Sequence, residues 1–82
     1  MQSDPLPESL KPFFQEYDFT ELDSEQAAAT IIERTLQYGN REEIRWLFRR
    51  YPRAEIVSWI SRSGPERLPE PHLSFWRLIL NI

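Results

Sequence analysis

The chain has 82 residues and a mass of 9.9 kDa, enough for one hydrophobic core and too few for two, which excludes the large enzyme architectures. A composition of 40% hydrophobic, 28% charged and 13% aromatic residues belongs to a folded chain, and the absence of cysteine removes disulfides, thiolate metal sites and cysteine nucleophiles together. The net charge of −3 gives no general attraction to nucleic acid; no apolar run approaches a membrane span, and Met1-Gln2-Ser3-Asp4-Pro5 lacks the order of a signal peptide, so a cytoplasmic protein is expected.

Pro5, Pro7 and Pro12 forbid a regular α-helix at the start, which predicts an extended Pro-rich arm over 1–12 and a single helical domain over 13–82. Phe13, Phe14, Tyr17, Phe19 and Leu22 have near-helical spacing and are expected to dock this arm on the core, with an exposed aromatic patch that captures a partner as the alternative. Asp23-Ser24-Glu25-Gln26 reads as a capping start for a helix reaching about Tyr38, with Ala28, Ile31, Ile32, Thr35 and Leu36 as its apolar stripe and Gly39 as a left-handed stop. Asn40-Arg41-Glu42-Glu43 repeats the capping signal at once, and the second helix places Ile44, Leu47, Phe48 and Tyr51 on one face.

Pro52 suits the opening of a third helix that carries Ile56, Val57, Trp59 and Ile60 and is expected to stop at Ser63-Gly64-Pro65. Pro69 and Pro71 then open a last helix whose Leu73, Phe75, Trp76, Leu78, Ile79, Leu80 and Ile82 leave a narrow polar stripe of Ser74, Arg77 and Asn81. The class is all-α: a compact bundle of about four helices with an N-terminal Pro/aromatic arm.

The charges are distributed unevenly. Residues 1–40 hold eight acids against Lys11 and Arg34, whereas residues 41–82 hold eight arginines against five acids. Arg41, Arg45 and Arg49 form an i, i+4, i+8 row, with Arg53 beyond it, and Trp46 lies off the apolar stripe of the same helix. Arginine pairs bidentately with carboxylates, and a tryptophan among arginines is a typical interface anchor, so these five residues are the candidate partner-binding set, with packing of Trp46 under the aromatic arm as the alternative for that residue.

Catalytic parts are scarce. His72 is the one histidine and has no evident nucleophile beside it, neither glycine belongs to a phosphate loop, and Asp18, Glu21, Asp23 and Glu25 lack the spacing of a calcium loop. No enzymatic activity, metal or cofactor is expected. A tri-helical DNA-binding arrangement over 41–50, 53–62 and 70–81 is the alternative, with His72, Arg77 and Asn81 as nucleic-acid contacts, although so apolar a last helix offers few groups to base edges.

The succession Leu10-Lys11-Pro12-Phe13-Phe14, Tyr17-Asp18-Phe19, Ile31-Ile32-Glu33-Arg34-Thr35-Leu36-Gln37-Tyr38-Gly39, Ile44-Arg45-Trp46-Leu47 and Phe75-Trp76 is similar to that of a family of small bacterial all-helical proteins. The resemblance covers about residues 6–82. Members of that family are often encoded beside abortive-infection type nucleotidyltransferase toxins, so the resemblance implies an antitoxin-like, toxin-binding role and brings no active site with it. One departure is visible: the family opens its last helix with Leu-Ser-Pro, where this chain has Leu68-Pro69-Glu70-Pro71.

Overall fold

The computed structural model describes residues 6–19 and 22–82, and all regular structure among them is helical. A 3₁₀-helix, Glu8–Phe14, is followed by four α-helices: α1 (Ala28–Tyr38), α2 (Arg41–Arg50), α3 (Arg53–Arg67) and α4 (His72–Leu80). The central helix is α1, which touches α2, α3, α4 and the 3₁₀-helix, while α3 and α4 pack together on one side of it.

Part of the expected extended arm is therefore helical, and residues 1–5 of it lie outside the described residues. The 3₁₀ form tolerates Pro12 because its i to i+3 bonds are few, and it turns Leu10 and Phe14 fully into the core. Phe13, Phe19 and Leu22 pack partly buried behind them, so these members of the aromatic cluster dock the N-terminal segment, whereas Tyr17 stays exposed. The clasp is Arg34 of α1. Its guanidinium donates to the Phe13 carbonyl at 2.7 Å, pairs with Glu16, and lies over the rings of Phe14 and Tyr17 at 5.3 and 5.5 Å. That pairing holds the Glu16 carboxyl below, and the Arg34 guanidinium above, their ordinary pKa values.

Three helix ends depart from the sequence reading. Residues 24–27 form turns and α1 begins only at Ala28, because Ser24 is taken up elsewhere: its Oγ accepts from Arg50 Nε at 3.0 Å and its carbonyl accepts from the Tyr51 hydroxyl at 2.6 Å. Gly39 is extended (φ −71°, ψ 149°) and not left-handed; glycine is needed because a Cβ would stand 2.6 Å from the Thr35 carbonyl oxygen. The third helix does not stop at Ser63-Gly64-Pro65 but continues to Arg67, since Gly64 is a packing glycine whose Cβ would meet Leu73 Cδ1 at 2.9 Å. The helix N-termini are more legible. Asn40 and Glu43 complete a reciprocal capping box, each bond 2.8 Å, and Pro52 opens α3.

At the start of α4 the Glu70 carboxylate takes the place of a serine cap, accepting from Ser74 N at 3.2 Å and Ser74 Oγ at 2.6 Å. At its end Asn81 adopts the left-handed conformation (φ 60°), with Asn81 N bonded to the Leu78 carbonyl and Ile82 N to the Arg77 carbonyl, the pattern of a Schellman stop.

Burial pushes the Tyr51 phenol up to about 12, well above its ordinary value of 10.0, and the neighbouring Arg50 only partly offsets this. The sign of the consequence follows from linkage. Below pH 10 the phenol is protonated folded or unfolded, whereas between pH 10 and 12 the unfolded chain loses the proton and the folded chain keeps it. Tyr51 should therefore cost about 2 to 3 kcal/mol of stability across that window. Thermal melts from pH 9 to 12 measure the effect, and Tyr51→Phe should show a shallower alkaline decline than wild type.

Candidate interaction surface

The row on α2 follows from the i, i+4, i+8 spacing of its arginines, and it faces outward because α2 packs on the core through the opposite side, with Trp46 and Leu47 buried. Arg41, Arg45 and Arg49 are all exposed, and none makes a hydrogen bond or ion pair with another described residue. They share their face with one exposed acid, Glu42. The other two members of the predicted set do not join them. Trp46 is only 6% exposed and packs edge-on to Tyr51 with ring centroids 6.2 Å apart, so it is a core residue and not an accessible anchor. Arg53 points to the far end of α4, where its guanidinium donates to the Leu80 carbonyl. Arg50, next to the row in sequence, is likewise committed, to Ser24, Glu25 and the Tyr51 ring.

Residues proposed for nucleic acid do not form one face. At about 100° per residue, Arg77 lies some 140° around α4 from His72, and Asn81 stands past the helix end in the left-handed conformation; of the three, His72 alone lines the cleft described below. Between these directions runs an apolar surface. Phe75, Leu78 and Ile79 of α4, at i, i+3 and i+4, and Ile82 just past its end are 52%, 79%, 56% and 46% exposed, while Leu73, Trp76 and Leu80 of the same helix are buried. The sequence marks all seven as apolar around a narrow polar stripe and does not say which of them are covered. The available signal was geometric: a nine-residue helix laid on one side of a small bundle buries a single stripe, so a helix apolar nearly all round must leave a second stripe uncovered.

A cleft of about 410 Å³ joins the two features. One wall is Arg41, Ile44 and Arg45 of α2, the opposite wall is His72 and Phe75 of α4, and Trp76 lies in the floor, tied to α1 by donating Nε1–H to the Leu36 carbonyl at 2.9 Å. Arg45 also borders a second cleft of about 390 Å³ with Arg49, Trp46, Pro7 and Ser9, so the arginine row is a ridge with a cleft on each side. Among the described residues no group of three His, Asp or Glu side chains is placed to hold a metal ion, and no helix is long and apolar enough to cross a membrane.

Among the described residues, four α-helices, a 3₁₀-helix and an exposed apolar stripe beside arginines without an ion pair define a small all-helical protein with a two-part surface. The sequence model of a family of unknown function (DUF6922) matches residues 9–60, and the chain belongs to that family. The match takes in the 3₁₀-helix, α1, α2 with its arginine row, and α3 as far as Ile60. No curated protein and no solved structure is detectably similar to this chain.

Proposed function

We propose that this chain is a non-enzymatic protein-interaction module acting in the cytoplasm, the antitoxin-like partner of a nucleotidyltransferase-type toxin, and that it binds through the surface shared by α2 and α4. The observation that carries the reading is the apolar stripe Phe75/Leu78/Ile79/Ile82, continuous through a cleft with the unpaired Arg41 and Arg45. Apolar contact supplies affinity and a charged margin supplies register and partner choice, the usual division of labour in protein interfaces. The toxin-like identity of the partner rests on the family resemblance in the sequence. Catalysis, a metal and a cofactor have no part in this reading. A DNA-binding regulator is the weaker alternative, because leucine and isoleucine along α4 have nothing to pair with on phosphates or base edges.

The test is calorimetry against a nucleotidyltransferase-type toxin, the product of a neighbouring gene being the first candidate. Leu78→Glu and the double reversal Arg45→Glu/Arg49→Glu should each weaken the complex at least tenfold, with thermal midpoints close to wild type because exposed positions contribute little to stability. Wild-type affinity in both variants would exclude this surface. A mobility shift on upstream DNA that declines steeply with salt and is lost on Arg77→Ala would favour the regulator instead.

A further inference from the structure

The surface also indicates what kind of structure it receives. We infer that the α2–α4 cleft and the adjoining stripe bind an amphipathic α-helix of the partner, one with apolar residues at i, i+3, i+4 and i+7 and carboxylates along the flank that meets Arg41 and Arg45. This rests on the protein-interaction reading and adds the form and charge of the ligand to it.

Length and shape favour a helix. Within α4 the exposed apolar residues run from Phe75 to Ile79, just over one turn, and Ile82 extends the surface past the helix end; a second helix laid along it seats its own apolar ridge in the groove between α4 and α2. Area shows that the stripe is not sufficient alone. Its four side chains expose on the order of 400 Å², comparable to the largest apolar patch of many monomers, and about half of the ~800 Å² each side of a standard interface contributes. The remaining contact must fall on neighbouring surface, and the neighbour across the cleft is Arg41, Ile44 and Arg45.

Charge selects the ligand. Arg41, Arg45 and Arg49 have no counter-ion among the described residues, so an incoming carboxylate breaks no existing pair, and guanidinium binds carboxylate in a bidentate fork. The same charge disfavours a second copy of this chain. A two-fold contact presents one patch to itself, and here that brings arginine toward arginine with Glu42 as the single exposed acid of the row.

A displayed library of 14-residue amphipathic helices tests this, with Leu fixed at i, i+3, i+4 and i+7 and the flanking positions varied among Asp, Glu, Lys, Ser and Ala. Selection on wild-type protein should enrich Asp and Glu on one flank. The selected peptides should bind at least tenfold more weakly to Arg41→Glu/Arg45→Glu and to Leu78→Glu, whose folding is checked by circular dichroism, and lysine at the acidic positions should restore binding to the Arg41→Glu/Arg45→Glu variant. Failure to select binders, no acidic enrichment, or equal binding by the variants overturns the inference. A wild-type dimer that Leu78→Glu dissociates also overturns it, by giving the stripe to a second copy, and so does DNA competing for the same residues. The two levels separate cleanly: a toxin complex that Leu78→Glu abolishes while no helix is selected retains the interaction reading and removes the helical ligand, whereas a toxin complex indifferent to Leu78→Glu removes both.

Discussion

Trp76→Ala is expected to cost about 3–5 kcal/mol, the usual range for truncating a buried tryptophan, and so to bring a domain of this size close to unfolding at room temperature. Three losses coincide. The side chain is buried against the core, its ring lies 6.2 Å from Phe48 and 5.1 Å edge-on from Phe75, and its Nε1–H satisfies the Leu36 carbonyl near the end of α1. Truncation opens a cavity between α1, α2 and α4 and leaves that carbonyl unpaired in the same step. Trp76→Phe separates the contributions, since it keeps much of the volume and removes the donor; it should cost about 1–3 kcal/mol. Chemical denaturation of both variants gives the difference, and a Trp76→Phe loss equal to that of Trp76→Ala would make the hydrogen bond dominant over packing. Trp76 is also the floor of the cleft, so Trp76→Phe tests how far the binding surface depends on it.

Leu47→Ala should be nearly as damaging, at about 2–5 kcal/mol. Leu47 is fully buried on the inner face of α2, and that helix has ten residues, so one lost anchor is a large part of what holds it to α1. A domain of 60–100 residues loses about 4–8 °C of midpoint for each kcal/mol, and thermal melts followed in the far ultraviolet should show a fall of more than 8 °C. An unchanged midpoint would place Leu47 outside the core. Leu78→Ala is the matched control, the same chemical change on a side chain that is 79% exposed, and it should leave the midpoint within about 2 °C.

Much of the local structure was legible because it depends on neighbours a few residues apart. The stripe Ile31/Ile32/Thr35/Leu36 is buried as its 3.6-residue spacing requires, and the Asn40/Glu43 box forms because both partners lie within one turn. The second helix shows where such reasoning weakens. Its stripe was placed at Ile44, Leu47, Phe48 and Tyr51, yet Ile44 and Phe48 are only partly buried, while Trp46 and Glu43 are nearly covered. The 3₁₀-helix sends Leu10 and Phe14 into the core, and Trp46 borders a cleft with Pro7 and Ser9, so the N-terminal segment covers a side of α2 that its own periodicity leaves polar.

The glycines show the same division. Both read as helix stops from the residue type alone, and Gly64 instead lies within α3, where Leu73 approaches from α4. Nothing in the ten residues around Gly64 records how close a side chain from another helix will come.

The sequence by itself determined the all-helical class, the stripe of α1, the start of α2, and the row Arg41, Arg45 and Arg49, because each follows from hydrogen bonds and helical spacing within a few turns. Tertiary structure alone decided which cations are engaged: Arg34, Arg50 and Arg53 clasp other segments, and among the described residues the row does not. It likewise decided that Trp46 is interior and that Phe75, Leu78, Ile79 and Ile82 are surface. Periodicity specifies which residues share a face of a helix, but whether another segment covers that face depends on packing between elements distant in the chain, and a domain of 82 residues has too few helices to cover every apolar face it presents.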